Sequence, residues 1–236
     1  MHGLTSITAL IMGDARERFR KFLPGRRIPL WLKILYTLWV ALLVLDHWQS
    51  TPLSFLWFCN LALLTTLAAL WLENSLLASM QAVAVIWWMF LWVLDFLVHL
   101  VTGINIGFPL GMANYMFDGS LSISSRCLSL YHAWLPFLLL WLLRRLGYDR
   151  RALLVQTCLA WVVFVLSYAL TDGPKGPAWN LNLVYGLSER EAQTWIAPWL
   201  WLVLVMVAWP ALVYVPSHFI FRWIFNPPPR TRPPEM

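Results

Sequence analysis

Apolar residues run along this chain in six long stretches, near 29–48, 53–72, 76–102, 122–143, 152–171 and 196–221. Each is close to or above the ~20 residues a helix needs to cross ~30 Å of hydrocarbon. The pattern predicts an all-α polytopic membrane bundle of six transmembrane helices. Residues 103–121, rich in Gly and Asn and interrupted by Pro109, read as a loop that dips back toward the protein. Residues 172–195 read as a longer polar loop, with Pro174, Pro177 and the run Ser188-Glu189-Arg190-Glu191. The division expected is a basic N-terminal segment over 1–28, a transmembrane domain over 29–225 and a disordered Pro/Arg-rich tail over 226–236. Residues 4–12 are apolar but lack the basic flank and small-residue cleavage site of a secretory signal, so they read as an interfacial segment. Met12 is a second candidate start.

Polar residues inside the stretches are spread unevenly. Asp46, His47, Cys59, Asn60, Asp95, His99, His132, Tyr168 and Asp172 all fall in the half of their segment nearest the loops at 49–52, 103–121 and 172–195. Ionisable side chains are costly in hydrocarbon, so several at one depth read as a cavity or pathway.

Composition agrees with a membrane chain: of 236 residues, 60% are hydrophobic and 12% charged. A soluble domain runs at about 45–50% and about 25%. Cys59, Cys127 and Cys158 all lie in apolar stretches, which argues against a disulfide framework and a structural zinc site. There is no Gly-rich phosphate loop, and the net charge of +6 calls for no nucleic acid.

Lys and Arg set the orientation. Seven flank the first stretch (Arg16, Arg18, Arg20, Lys21, Arg26, Arg27, Lys33), four lie between the fourth and fifth (Arg144, Arg145, Arg150, Arg151), and three follow the last (Arg222, Arg230, Arg232). Only Arg126, Lys175 and Arg190 fall on the other side. Both termini are therefore expected in the cytoplasm of a multi-pass cell membrane protein, and the polar half of the bundle faces outward. Among seventeen tryptophans, Trp31, Trp71 and Trp223 fall at one boundary and Trp48, Trp179, Trp195 and Trp199 at the other, as aromatic belts do. Trp57, Trp87, Trp88, Trp92, Trp134 and Trp209 lie deeper, as core packing or as walls for an apolar ligand.

A rise of ~1.5 Å per residue places Cys59 and Asn60 roughly 10–12 Å below the outer boundary, Asp95 about 10 Å, His99 about 5 Å and His132 about 15 Å. Asp95 and His99, four apart, share a helix face with Gln81 and Trp88. A carboxylate beside an imidazole raises its basicity in hydrolytic dyads, while the same pair also ties helices together. His132 has Arg126 and Tyr131 on its side of the bilayer. Where the second and fourth stretches touch, His132 serves as a base for Cys59, which otherwise packs as a small hydrophobe. Pro210, Tyr214, Pro216 and His218 lie at the opposite end, where two prolines bend a helix.

The segment Pro52-Leu53-Ser54-Phe55-Leu56-Trp57-Phe58-Cys59-Asn60 resembles the Pro-Leu-His-Leu-Cys-Asp/Asn signature of YwaF-type bacterial integral membrane proteins, themselves similar in plan to the androgen-induced type of membrane hydrolases. Tyr131-His132-Ala133-Trp134-Leu135-Pro136 is similar to the histidine-bearing fourth helix of that group, and Asn180-Leu181-Asn182-Leu183-Val184-Tyr185-Gly186 to its Asn/Tyr segment. The resemblance implies a helical bundle acting on acyl-lipid esters, with Cys59 as nucleophile and His132 as base. Trp57 stands where the family carries a histidine.

The expected function is an integral membrane protein with an outward polar pocket acting as a lipid acyl hydrolase or acyltransferase. In this reading Cys59, His132 and Asp95 are catalytic, and Asn60, His99, Trp57, Trp88, Tyr131 and Arg126 bind the substrate. Membrane lipids are the expected partners, with no metal, cofactor or nucleic acid. Alternatives are a proton-coupled or small-solute transporter or binding protein, and an accessory subunit whose polar residues only join helices. Haem held by His99 and His132 fits poorly, because their depths differ by about 10 Å.

Overall fold

The computed structural model describes residues 28–50, 52–104, 111–119, 121–171, 180–188 and 191–225. The basic segment 1–27, the start of the 172–195 loop with Asp172 and Trp179, and the tail from Asn226 lie outside the described residues. Every regular element among those described is helical: α1 (Leu30–Ser50), α2 (Phe58–Leu72), α3 (Ser75–Thr102), α4 (Ile123–Ser129), α5 (Tyr131–Leu146), α6 (Ala152–Leu170), α7 (Pro198–Trp209) and α8 (Val215–Phe225).

Five units are long and apolar enough to cross a membrane: α1, α3, α4 with α5 (Ile123–Leu146), α6, and α7 through α8 (Pro198–Phe225). Their outward faces are those of a chain solvated by lipid. Leu35, Leu38, Leu42, Leu97, Val162, Leu204, Leu212 and Phe219 are all exposed, far beyond what a water-soluble surface carries. Trp31, Trp48, Trp195, Trp199 and Trp223 are also exposed, as belt residues are.

Three of the expected spans differ in shape from the even stretches read along the chain. The second begins with a 3₁₀ turn, Pro52–Leu56, and its α-helix is only 15 residues long, about 22 Å. Asn60 holds that turn by donating from Nδ2 to the Ser54 carbonyl at 2.8 Å. The fourth breaks at Leu130 into α4 and α5, and Pro136 inside α5 removes the backbone bond to the His132 carbonyl. The sixth passes through a π-helical turn over Pro210–Tyr214. Pro210 cannot bond the Met206 carbonyl, and Trp161 Nε1 on α6 donates to it instead at 2.8 Å. That contact matters in lipid, where no water would take the donor's place.

Helix α3 is the axis, packed on α2, α5, α6 and the π turn. Ala78 through Ile86 are buried on every side, and the small residues Ala78, Ser79, Ala82 and Ala84 let neighbouring backbones approach. At the end holding the α2–α3 turn, Glu73 adopts a left-handed conformation (φ 49°) and pairs with the buried Lys33 at 2.9 Å. At the α5–α6 turn the Arg151 fork grips Asp149 at 2.8 Å and holds its carboxyl below the ordinary value. The Tyr148 phenol is pushed above its ordinary value, by burial first and then by the Asp149 charge. These charges gather at the end of the bundle opposite the cavity described next.

Candidate functional site

The C-terminal end of α1, the start of α2, the second half of α3 and the α4–α5 break converge on one cavity of about 460 Å³. That volume lies within the ~300–1,000 Å³ of small-ligand sites. Its wall is mainly apolar and aromatic, including Leu53, Trp57, Val85, Trp88, Met89, Trp92, Tyr115 and Trp209. Its polar atoms come from Asp46, His47, Cys59, Asn60, Ser125, Ser129, Tyr131, His132 and Asn182.

Two loop segments fold inward to close it. In the first, Tyr115 reaches the cavity from a 3₁₀ turn, Asn114–Phe117, and Met112 from the residues just before it. Asp95 holds this turn by accepting the Ala113 N–H at 2.7 Å, and His99 holds it through Asn114 Oδ1 at 3.2 Å and a ring stack on Phe117 at 3.9 Å. In the second, Leu181, Asn182 and Leu183 enter the wall. Asn182 (φ 55°) accepts the Phe58 N–H at 3.2 Å and donates to the Leu56 carbonyl at 2.9 Å and to Ser167 Oγ at 3.0 Å. The sequence predicts a polar loop over 172–195 and no structural part for Asn182. Its role depends on partners up to 126 residues away, and no periodicity reports them.

Of the residues read from the sequence, Cys59, His132, Asn60, Trp57, Trp88 and Tyr131 line the cavity. Asp95, His99 and Arg126 do not. The Asp95–His99 pair does not form a dyad: each side chain is engaged by the 111–117 segment, and Asp95 is buried against a backbone N–H. Arg126 Nη1 donates to the Met116 carbonyl at 3.3 Å, so it too fastens that segment.

Within the cavity, the Tyr131 hydroxyl donates to Asn60 Oδ1 at 2.7 Å. The Cys59 thiol borders the same cavity beside this pair. Among the hydrogen bonds of the described residues none joins the Cys59 thiol to His132, whose ring is engaged at Ser129. His132 Nδ1–H donates to the Ser129 carbonyl at 2.8 Å, because a carbonyl can only accept. In the neutral ring this leaves Nε2 with the lone pair. The ring stacks between Tyr131 (4.1 Å) and Trp92 (4.9 Å).

At one end of the cavity lie Asp46 and His47, to which the sequence assigns no chemistry. Asp46 Oδ1 accepts from Ser125 Oγ at 2.9 Å, and Oδ2 lies 3.5 Å from His47 Nδ1. At the other end, the indoles of Trp88 and Trp209 stack at 4.6 Å, nearly parallel. Trp88 also lines a second, lipid-side groove of about 230 Å³ with Leu212, Val213 and Pro216. The indole N–H groups of Trp88, Trp92 and Trp209 are buried without a hydrogen-bond partner, as is Ser54 Oγ. Among the described residues, no cluster of three His, Cys, Asp or Glu side chains is spaced to hold a metal ion. Cys59, Cys127 and Cys158 are free thiols. No protein-family model matches this chain, and no curated protein or solved structure matches it either.

Proposed function

We propose that this chain is a six-span cell membrane protein with both termini in the cytoplasm, and that its outward-half cavity binds a single-chain amphiphile taken from the bilayer. In this reading α2, although short, completes the sixth crossing together with its 3₁₀ turn. The observation that carries the binding reading is the cavity wall. It is apolar and aromatic over most of its surface, with a few polar groups, among them Asn60, Tyr131 and His132, on one side. An apolar wall with a small number of polar groups is the lining that takes an alkyl chain and holds its polar end. Access through the Trp88–Trp209 stack would come from the lipid side, where the second groove meets Trp88. The lining residues lie at one end of the bundle, which suits a binding pocket better than a conduit.

Chains brominated near their middle should quench the fluorescence of Trp57, Trp88, Trp92 and Trp209 with saturation at low mole fraction in the bilayer. Quenching that rises only linearly with the bulk content of brominated lipid would refute a discrete site.

Acyl transfer is the second reading, favoured by the free Nε2 of His132 and the Cys59 thiol facing one cavity. The thiol would pass its proton to His132 Nε2 and attack the ester carbonyl, expelling the alkoxide, which takes that proton back. A lipid-like electrophile should then label wild-type membranes and fail to label Cys59→Ala, with His132→Ala slowed by roughly 100-fold or more. Equal labelling of all three proteins would leave the cavity as a binding site only.

A further inference from the structure

We infer that the end of the bundle opposite the cavity carries a second site, which holds the phosphate head of an anionic lipid from the adjoining leaflet. It stands apart from the amphiphile reading of the cavity. The α5–α6 turn and α8 build it. Tyr148 in that turn is buried, and its hydroxyl lies 2.8 Å from His218 Nδ1 on α8. The Tyr148 ring also packs on Phe221, with centroids 6.2 Å apart. From the other side, Ser79 Oγ at the start of α3 accepts the Asp149 N–H at 2.9 Å. These contacts fix the backbone on which Arg150 and Arg222 stand. Arg150 follows Tyr148 by two positions, and Arg222 follows His218 by one helical turn on the same face of α8.

Both arginines are exposed, and among the described residues neither has a carboxylate partner. The acids of this end are already engaged, Asp149 by Arg151 and Glu73 by Lys33. Arg144, in the last turn of α5, is exposed and likewise has no carboxylate partner among the described residues, and Arg145 lies over the Trp141 ring at 5.3 Å. Helix α6 starts here with no side-chain cap, so its positive end adds to the excess. The place is at head-group level. Arg150 lies between two crossing units, Ile123–Leu146 and Ala152–Leu170, and Arg222 lies in the last turn of a third. Exposed Trp223 beside it is a belt residue. A guanidinium fork matches phosphate oxygens with two parallel hydrogen bonds, and basic clefts between transmembrane helices are where anionic heads bind.

The test uses the purified full chain, delipidated in detergent, with bound lipid read by native mass spectrometry. Phosphatidic acid and phosphatidylglycerol should each give a saturable adduct at a concentration about ten-fold below that for phosphatidylcholine of the same chains. Arg150→Gln with Arg222→Gln should bring all three within about two-fold, and an unchanged thermal midpoint reports that the fold is intact. Arg150→Lys with Arg222→Lys keeps the charge and should keep a preference of about three-fold or more. Equal binding of anionic and zwitterionic lipids by the wild type overturns the inference. So does an anionic preference that survives the double glutamine change, because it would then belong to the basic end as a whole. Displacement of phosphatidylglycerol by inorganic phosphate alone would overturn the assignment to lipid.

Discussion

At the scale of single residues, the cavity is held by side chains that each satisfy several buried groups. Asn182 is 3% exposed and joins the 180–188 segment to α2 and α6 through three hydrogen bonds. Its left-handed backbone suits asparagine, and the next residue, Leu183, is held at φ 62° while Trp201 Nε1 donates to its carbonyl at 2.9 Å. Asn182→Ala leaves the Phe58 N–H and the Leu56 carbonyl unpaired. It should cost about 2–6 kcal/mol of stability, taking about 1–3 kcal/mol per orphaned group. Thermal unfolding in detergent checks this, and a variant within about 0.5 kcal/mol of wild type would show that the segment is not what closes the cavity. At this scale the chain was legible in part. Cys59, Asn60, Tyr131 and His132 stood out because polar groups are rare in apolar helices. Asp46 was visible too, but its partner Ser125 lies 79 residues away, so its place at the cavity could not be read. Asp95 and His99 carried the right spacing for a dyad. Spacing along one helix says nothing of the loop backbone that takes both side chains.

At the scale of elements, the breaks in the helices matter more than their lengths. The split at Leu130 puts His132 at the start of α5, where its Nδ1 reaches the Ser129 carbonyl. An uninterrupted helix would commit that carbonyl to its own i+4 N–H. Pro210 makes the π turn that places Trp209 against Trp88. Prolines announced bends, whereas the Leu130 break has no local signal, since neither a glycine nor a proline stands there. The stand-in donor at Pro210 supplies a test by double-mutant cycle. Trp161→Phe should destabilise the wild type by about 1 kcal/mol by orphaning the Met206 carbonyl. In a Pro210→Ala background the restored N–H serves that carbonyl, so the same change should cost little, giving a coupling of about 0.5–1 kcal/mol. Additive effects would mean that Trp161 contributes only packing.

At the scale of the whole molecule, the apolar exterior and the helical bundle follow from composition and hydropathy alone, and both were plain in the sequence. The charges gathered at the α2–α3 and α5–α6 turns, opposite the cavity, agree with the distribution of Lys and Arg along the chain. The cavity itself was not legible, because a void is set by how side chains from six helices and two loops fail to fill space. Val85 and Met89 are buried on the central helix and border that void. Met89→Trp should occupy part of it, at a cost in stability of about 1–3 kcal/mol from crowding.

Photo-crosslinking of intact membranes with a diazirine-tailed single-chain amphiphile, mapped by peptide mass spectrometry in wild type and Met89→Trp, tests the central claim most directly. The account predicts saturable labelling on residues 53–60, 85–92 and 125–132, competed by unlabelled chain and lost in Met89→Trp. Labelling confined to lipid-facing positions such as Leu38, Leu97 and Leu204, unchanged by Met89→Trp, would contradict it.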